Sequence, residues 1–433
     1  MAKGCEIVMK DEYGYIDIKP FEKLDKSDQK PAIINERDNK LELKINDIEK
    51  FNVLDFYDNK FGELTQSREI YGIDSKYRPL TLYRCNIVNS TFRALPHSII
   101  TSEMYVIGNE GLSKIAHFTD KTKIRKMNYY HNNIGQLFFN NSVILKTKKN
   151  KLEVCAKNQK KISISKFVDN DNTITINLIN HYTYSYTLTD VNIRKKSYFE
   201  VNFSKSINLD DALLISNRID CIIHMFLLTN TVSKGLTFYS TLGHSYEFYN
   251  MKHKENDDKK CTFYLDKAEN AIDNFDKLFR LFMSVPKGPE NNALFPFLHF
   301  NRKVPSLEIE FLEFYKVLEF IDTSNRQKQG KGKNSNFLIQ LLKKYPNVKQ
   351  TYFGTQKNNE IEEEIRSLRN YYSHNGYYIE QLPIPTDKPK RYKKIDVQWL
   401  YDVKNFVKLV AYLEIYSFAN ISVDETKLMH NLH

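Results

Sequence analysis

The sequence predicts an α+β protein, with a β-rich region over residues 1–290 followed by an all-helical bundle over 295–433. Three observations predict it. Up to residue 208, apolar and polar residues alternate in many short runs, at the two-residue period of a strand. From Pro305 onward the apolar residues recur three and four apart, the spacing of one helix face. Between the two, Pro286, Gly288 and Pro289 interrupt the chain and mark a boundary.

The alternating runs are 13–18, 41–45, 79–87, 143–147 and 161–167. The clearest is 173–188, where Ile174, Ile176 and Leu178 alternate with Thr and Asn. Turn residues separate these runs, which favours antiparallel pairing and makes 1–208 mainly strand. Over 209–290 the pattern is mixed: 210–228 reads as a helix, 236–249 as extended chain or a hairpin, and 267–283 as a second helix.

The first bundle helix starts at Pro305 and runs through Ile321, with Leu307, Phe311, Phe314, Leu318 and Ile321 on one wide apolar face. Residues 336–345 form a shorter helix. The third helix, 359–374, has Asn359 as N-cap and Glu362 at the capping-box position. Glu360, Glu362, Glu363 and Glu364 crowd its positive end, and Asn375-Gly376 supplies a left-handed stop. Ile361, Ile365, Leu368 and Tyr372 fall on a single stripe. The fourth helix, 396–420, lacks Gly and Pro and buries Trp399, Val403, Phe406, Val407, Val410 and Leu413. Four helices with short connections predict an up-and-down bundle.

A chain of 433 residues and 51.2 kDa is long enough for two or three cores. The net charge of +11 and pI near 9.0 suit a polyanionic partner. Richness in Lys, Asn, Ile and Tyr is also what an AT-rich genome encodes, so charge alone leaves the partner open. The basic residues do cluster. Residues 146–161 hold seven lysines, 326–333 form a Gly-punctuated loop with Lys331 and Lys333, and 388–394 include Lys390 and Arg391. Each cluster is either a phosphate contact or a solvated loop.

Five scattered cysteines (Cys5, Cys85, Cys155, Cys221, Cys261), none in C-x-x-C spacing, point to a reducing cytoplasm and away from disulfides or zinc. The first twenty residues carry charges of both signs, unlike a signal peptide. The longest apolar run, 221–228, falls far short of the roughly 20 residues that a spanning helix needs, so no membrane association is expected. Neither G-x-x-x-x-G-K-[ST] nor H-E-x-x-H occurs, leaving nucleotide hydrolysis and zinc proteolysis without residues; no cofactor or metal is called for.

The chemistry-bearing stretch is Arg369-Asn370-Tyr371-Tyr372-Ser373-His374, at the end of the third bundle helix. An arginine that holds a phosphate and a histidine that moves a proton are the minimum equipment for metal-free RNA cleavage. With 14 arginines and 11 histidines, about one such spacing arises by chance, and two others occur. Arg125 and His131 lie in a β-rich stretch. Arg218 and His224 lie on a helix among Ile219, Cys221, Ile222, Ile223, Met225 and Phe226, which reads as core. The third match alone has a polar residue directly after the arginine and an open helix face.

At about 100° per residue, His374 points away from the apolar stripe, with Asn370 one turn before it. There it is either a proton-transfer group or a solvated histidine, and the negative helix end favours its imidazolium form. Arg369 flanks the stripe, about 140° from His374, so one helix does not easily aim both at one phosphate. Two such helices about a two-fold axis can, which predicts a homodimer. Of the tyrosines nearby, Tyr372 belongs to the buried stripe, while Tyr371, Tyr377 and Tyr378 either stack on unpaired bases or pack ordinarily.

Arg369 to His374 resembles the R-x4-6-H signature of HEPN-domain ribonucleases, and most of the chain, unevenly, resembles the ApeA-type bacterial anti-phage defence proteins. The resemblance is strongest in Tyr315-Lys316-Val317-Leu318-Glu319-Phe320-Ile321 and in Leu368 through Gly376. It is looser in Leu80-Thr81-Leu82-Tyr83-Arg84-Cys85 and in Met104-Tyr105-Val106-Ile107-Gly108.

It implies an ApeA-like β-rich domain, a HEPN bundle and an endoribonuclease acting in abortive infection in the cytoplasm. Arg369, His374 and Asn370 match the family's site, and Glu319 corresponds to an acidic helper. The implied reaction is attack of the RNA 2′-hydroxyl on its own phosphate, with Ser373 and Asn370 orienting the groups. Products carry a 2′,3′-cyclic phosphate and a 5′-hydroxyl, and DNA is spared. Lys331, Lys333, Tyr377, Lys390 and Arg391 would hold RNA, by family analogy transfer RNA. The β-rich region would answer to a phage-encoded trigger or inhibitor, or position substrate. The competing expectation is a non-catalytic HEPN module that binds RNA, a nucleotide or a partner protein.

Overall fold

The computed structural model describes residues 13–17, 30–37, 40–45, 68–73, 78–91, 97–102, 104–108, 118–119, 121–131, 134–138, 144–148, 151–155, 161–169, 171–186, 191–228, 235–250, 268–284, 306–328, 336–375 and 397–432. They form an α+β architecture of two compact units. One comprises Met1–Ser216 with Thr231–Lys260, the other Asn217–Asn230 with Cys261–His433.

Among the described residues, every strand pairing of the first unit is antiparallel. Its strands are β1 (Tyr13–Asp17), β2 (Lys30–Arg37), β3 (Lys40–Ile45), β4 (Arg68–Ile73), β5 (Pro79–Thr91), β6 (His97–Ser102), β7 (Met104–Gly108) and β8 (Ile124–Tyr130). After a short helix α1 (Ile134–Leu137) come β9 (Ile144–Lys148), β10 (Lys151–Cys155), β11 (Lys161–Asp169), β12 (Asn172–Tyr186), β13 (Val191–Ile207), β14 (Gly235–Ser240) and β15 (Ser245–Asn250).

Strand β5 organises the sheet. Its Asn86–Thr91 half pairs with β6 and its Leu80–Tyr83 half with β7, along one edge, while the other edge pairs with β4. The pairings β5–β4–β1–β2–β3–β6–β5 therefore close a ring of six strands. From β7 the sheet continues open, in the order β15, β14, β8, β13, β12, β11, while β9 and β10 form a separate hairpin.

The alternation seen in the sequence becomes a face. Ile174, Ile176, Leu178, Phe199, Val201, Met127, Tyr129 and Phe238 are buried on one side of the open sheet. There Phe138 meets Phe199 edge-on at 5.5 Å, and Phe118 lies 5.9 Å from Phe238. The described residues of each expected run fall in a strand. The strands not expected from pattern include β2, β4, β8 and β13, where lysines, asparagines and arginines break the apolar count although the chain is paired on both sides.

The second unit contains the C-terminal half of α2 (Leu209–Leu227), then α3 (Ala268–Ser284), α4 (Leu307–Lys328), α5 (Phe337–Lys344), α6 (Pro346–Phe353), α7 (Asn358–Asn375), α8 (Val397–Phe418) and α9 (Glu425–Leu432). The expected bundle starting at residue 295 is thus too short: the helical unit also takes in α3 and part of α2. The reason is α8. Of its expected stripe Trp399 is only half-buried, near the exposed start of the helix, but α8 also buries Leu400, Leu409, Ala411, Tyr412, Ile415 and Tyr416, so most of its length is covered on nearly every side. His224 Nε2 lies 2.7 Å from the Tyr412 hydroxyl, and the Tyr416 hydroxyl donates to the Met225 carbonyl. On the other sides α8 packs against α4, α6 and α9.

Four helices were therefore an undercount. Pro346 opens α6 at its first position, where a missing N–H costs nothing. The α8 terminus is closed by Asn420 in a left-handed conformation (φ 55°), with Ile421 N–H reaching back to the Tyr416 carbonyl at 2.8 Å.

Candidate active site on helices α4 and α7

Helix α7 buries the stripe read from its sequence: Ile361, Ile365, Leu368 and Tyr372 are each at most 4% exposed. Its entry differs from expectation. The Lys357 carbonyl accepts the N–H groups of Glu360 and Ile361, so Asn359 is already inside the helix and is not the cap. Glu362 accordingly turns inward, 6% exposed, with Arg366 Nε 3.4 Å from its carboxylate. The helix continues through Asn375.

On α4 the expected Phe311, Phe314, Leu318 and Ile321 are buried and Leu307 is half-buried; the apolar face is also wider, because Tyr315 and Val317 are buried too. Where α4 crosses α7, Arg369 meets Glu319. Arg369 Nη2 lies 3.3 Å and 3.5 Å from the two carboxylate oxygens, and Nη1 donates to Asn370 Oδ1 at 3.3 Å. The guanidinium carbon sits 5.9 Å from the centroid of Tyr315. About a third of each charged side chain stays exposed, 32% for Arg369 and 36% for Glu319. The guanidinium is thus held by a carboxylate, an amide and a ring, while its remaining N–H donors can reach a phosphate oxygen.

Burial pushes the Tyr315 phenol far above its ordinary range, and the charge of Glu319 adds to this while Arg369 opposes it. Tyr315 is therefore a neutral floor under Arg369. It was missed in the sequence, although its position four residues from both Phe311 and Glu319 was the available signal. Tyr372 is likewise pushed up, first by burial and then by Glu308 and Tyr371; its ring meets Phe311 at 6.5 Å, as core.

Ser373 is exposed on the last turn, and the backbone is helical through His374, whose side chain lies outside the described residues. Glu319, Arg369 and Asn370 are thus brought together, while Lys331, Lys333, Tyr377, Lys390 and Arg391 lie outside the described residues.

The two other Arg–His spacings resolve as the sequence suggested for them. Arg218 and His224 are 2% and 4% exposed, with Arg218 donating to the Met283 carbonyl at 3.3 Å. Arg125 is exposed on β8 and His131 is buried just beyond it, in a strand environment. Among the described residues no group of three His, Cys, Asp or Glu could hold a metal ion, and no helix is long and apolar enough to cross a membrane.

Compared with known proteins, the chain matches no family model, no curated protein and no solved structure.

Proposed function

We propose that the chain is a metal-independent endoribonuclease of the HEPN kind, acting in abortive-infection defence in the cytoplasm, with Arg369 and His374 as its working pair. The observation that carries this reading is the Arg369–Glu319 contact at 3.3 Å. A solvated arginine on a helix surface needs no such seat, whereas a phosphate-binding one benefits from being oriented before substrate arrives. Arg369 then stabilises the charge on the phosphorane-like transition state, and His374 transfers the proton of the 2′-hydroxyl or of the leaving oxygen. Asn370 and Ser373 sit on the same two turns and orient the phosphate.

The divergence of the pair along α7 favours a homodimer, in which two α7 helices about a two-fold axis supply one cleft. Transfer RNA is the proposed substrate, and the β-rich unit the proposed receiver of a phage-encoded signal. A non-catalytic RNA-binding bundle is the reading to beat.

The experiment is incubation of the purified chain with bulk tRNA in EDTA, with analysis of fragment ends across a protein dilution series. Expected are 2′,3′-cyclic phosphate ends, loss of cleavage in both Arg369→Ala and His374→Ala, and specific activity that falls on dilution. Cleavage that needs magnesium, or that survives His374→Ala, rules the mechanism out; full specific activity from a monomer rules out the shared cleft.

A further inference from the structure

The open sheet of the first unit has a second face, and it is not the charged, solvated surface that an antiparallel sheet usually turns to water. The register places Lys126, Asn128 and Tyr130 of β8 opposite Asn202, Glu200 and Tyr198 of β13, and opposite Tyr239, Thr237 and Gly235 of β14. Three tyrosines thus stand on the three central strands around one asparagine. Asn128 donates to the hydroxyls of Tyr239 at 3.1 Å and Tyr130 at 3.4 Å. The rings of Tyr130 and Tyr198 lie 5.2 Å apart. Lys126 Nζ sits 4.0 Å above the Tyr239 ring and 3.7 Å from Glu200, which also receives Lys161 at 2.6 Å.

Two features distinguish this cluster from ordinary packing. Asn128 is 5% exposed, and its carbonyl oxygen has no hydrogen-bond partner. A buried polar atom with no partner is costly, and native proteins keep one where something else satisfies it. Two lysines also converge on the one carboxylate of Glu200, while Glu247 stands in the same cross-strand row beyond Thr237. Burial works to raise Glu200, but its hydrogen bonds to Lys161 and Asn202 outweigh this, so it stays ionised and holds both lysines in place.

We propose that this face binds an unpaired nucleotide of a single-stranded nucleic acid. The base stacks on the half-buried tyrosines, Asn128 offers its spare polar atom to the base edge, and Lys126 with Lys161 meets the adjacent phosphate. A strand fits better than a free nucleoside triphosphate, because the lysines stand on an open sheet and the sequence has no glycine-rich loop to cradle a polyphosphate. The site is independent of the nuclease reading.

The test is fluorescence anisotropy of the full chain with a 2′-O-methyl oligoribonucleotide, which has no attacking hydroxyl and so reports binding whether or not the bundle cleaves. Tyr198→Leu and Tyr239→Leu should each weaken binding by about tenfold, the loss of one stacked base, and Lys126→Gln should lower the salt dependence by about one phosphate contact. Tyr198→Phe keeps the ring and should bind nearly as the parent does, which separates stacking from misfolding. With 5-iodouridine in the strand, photocrosslinks should map to Tyr130, Tyr198 or Tyr239. Crosslinks confined to the helical unit, unchanged affinity in both leucine variants, equal affinity for duplex RNA, or displacement by a mononucleotide at concentrations comparable to the strand would each overturn the proposal.

Discussion

Glu319 and Arg369, fifty residues apart in sequence, meet at 3.3 Å where α4 crosses α7. Both are about one-third exposed, so the pair adds little to stability, and its removal should cost at most about 1 kcal/mol. Its proposed role is to aim the guanidinium. Glu319→Ala should therefore leave the thermal midpoint nearly unchanged while lowering single-turnover RNA cleavage by about tenfold, a loss of about 1.4 kcal/mol in transition-state stabilisation. Unchanged cleavage would make Glu319 a bystander.

His224 gives the opposite pattern. It is buried against Tyr412, so His224→Ala removes packed volume and leaves a phenol hydroxyl without its partner. A loss of about 2–4 kcal/mol in urea unfolding is expected, with cleavage per folded molecule unaltered. Loss of cleavage in a fully folded His224→Ala protein would return the Arg218–His224 spacing to candidacy.

Glu310 predicts a pH dependence. Burial alone would raise its carboxyl, but Lys408 at 2.9 Å and Lys404 at 3.5 Å outweigh this and hold it below its ordinary range. A depressed folded-state value means the stabilisation is complete above the unfolded carboxyl pKa, near about 4.3, and is lost as pH falls through the folded one. Glu310→Gln should therefore destabilise by about 2–4 kcal/mol at pH 7, because it leaves Lys404, 7% exposed, without its carboxylate. The difference from the parent should shrink on acidification; a gap as large at pH 3 as at pH 7 would contradict the assignment.

The boundary of the helical unit is testable by dissection. A fragment of residues 295–433 lacks the His224 and Met225 contacts to Tyr412 and Tyr416, and also Lys277, which reaches the Asn420 carbonyl at 3.2 Å. It should partition to the insoluble fraction on expression, whereas a chain beginning at residue 209 retains those contacts. A soluble 295–433 fragment with a cooperative unfolding transition would show that α2 and α3 are dispensable.

Local chemistry explains what could be read in advance. The stripe Ile361, Ile365, Leu368 and Tyr372, the alternation of Ile174, Ile176 and Leu178, and the apolar surroundings of His224 each depend only on side-chain period, so sequence alone determined which way those residues face. The α+β order of the chain followed from the same periodicities. The tertiary structure alone decided what crosses between elements. That includes the closing of six strands through β5, the hydrogen bonds that tie His224 and Met225 of α2 to Tyr412 and Tyr416 of α8, the seat of Arg369 on Glu319 and Tyr315, and the gathering of Tyr130, Tyr198 and Tyr239 around Asn128. Four of the hydrogen bonds involved join residues fifty to nearly two hundred positions apart. No local period records them, because strand order and helix crossing are chosen by the packing of whole faces.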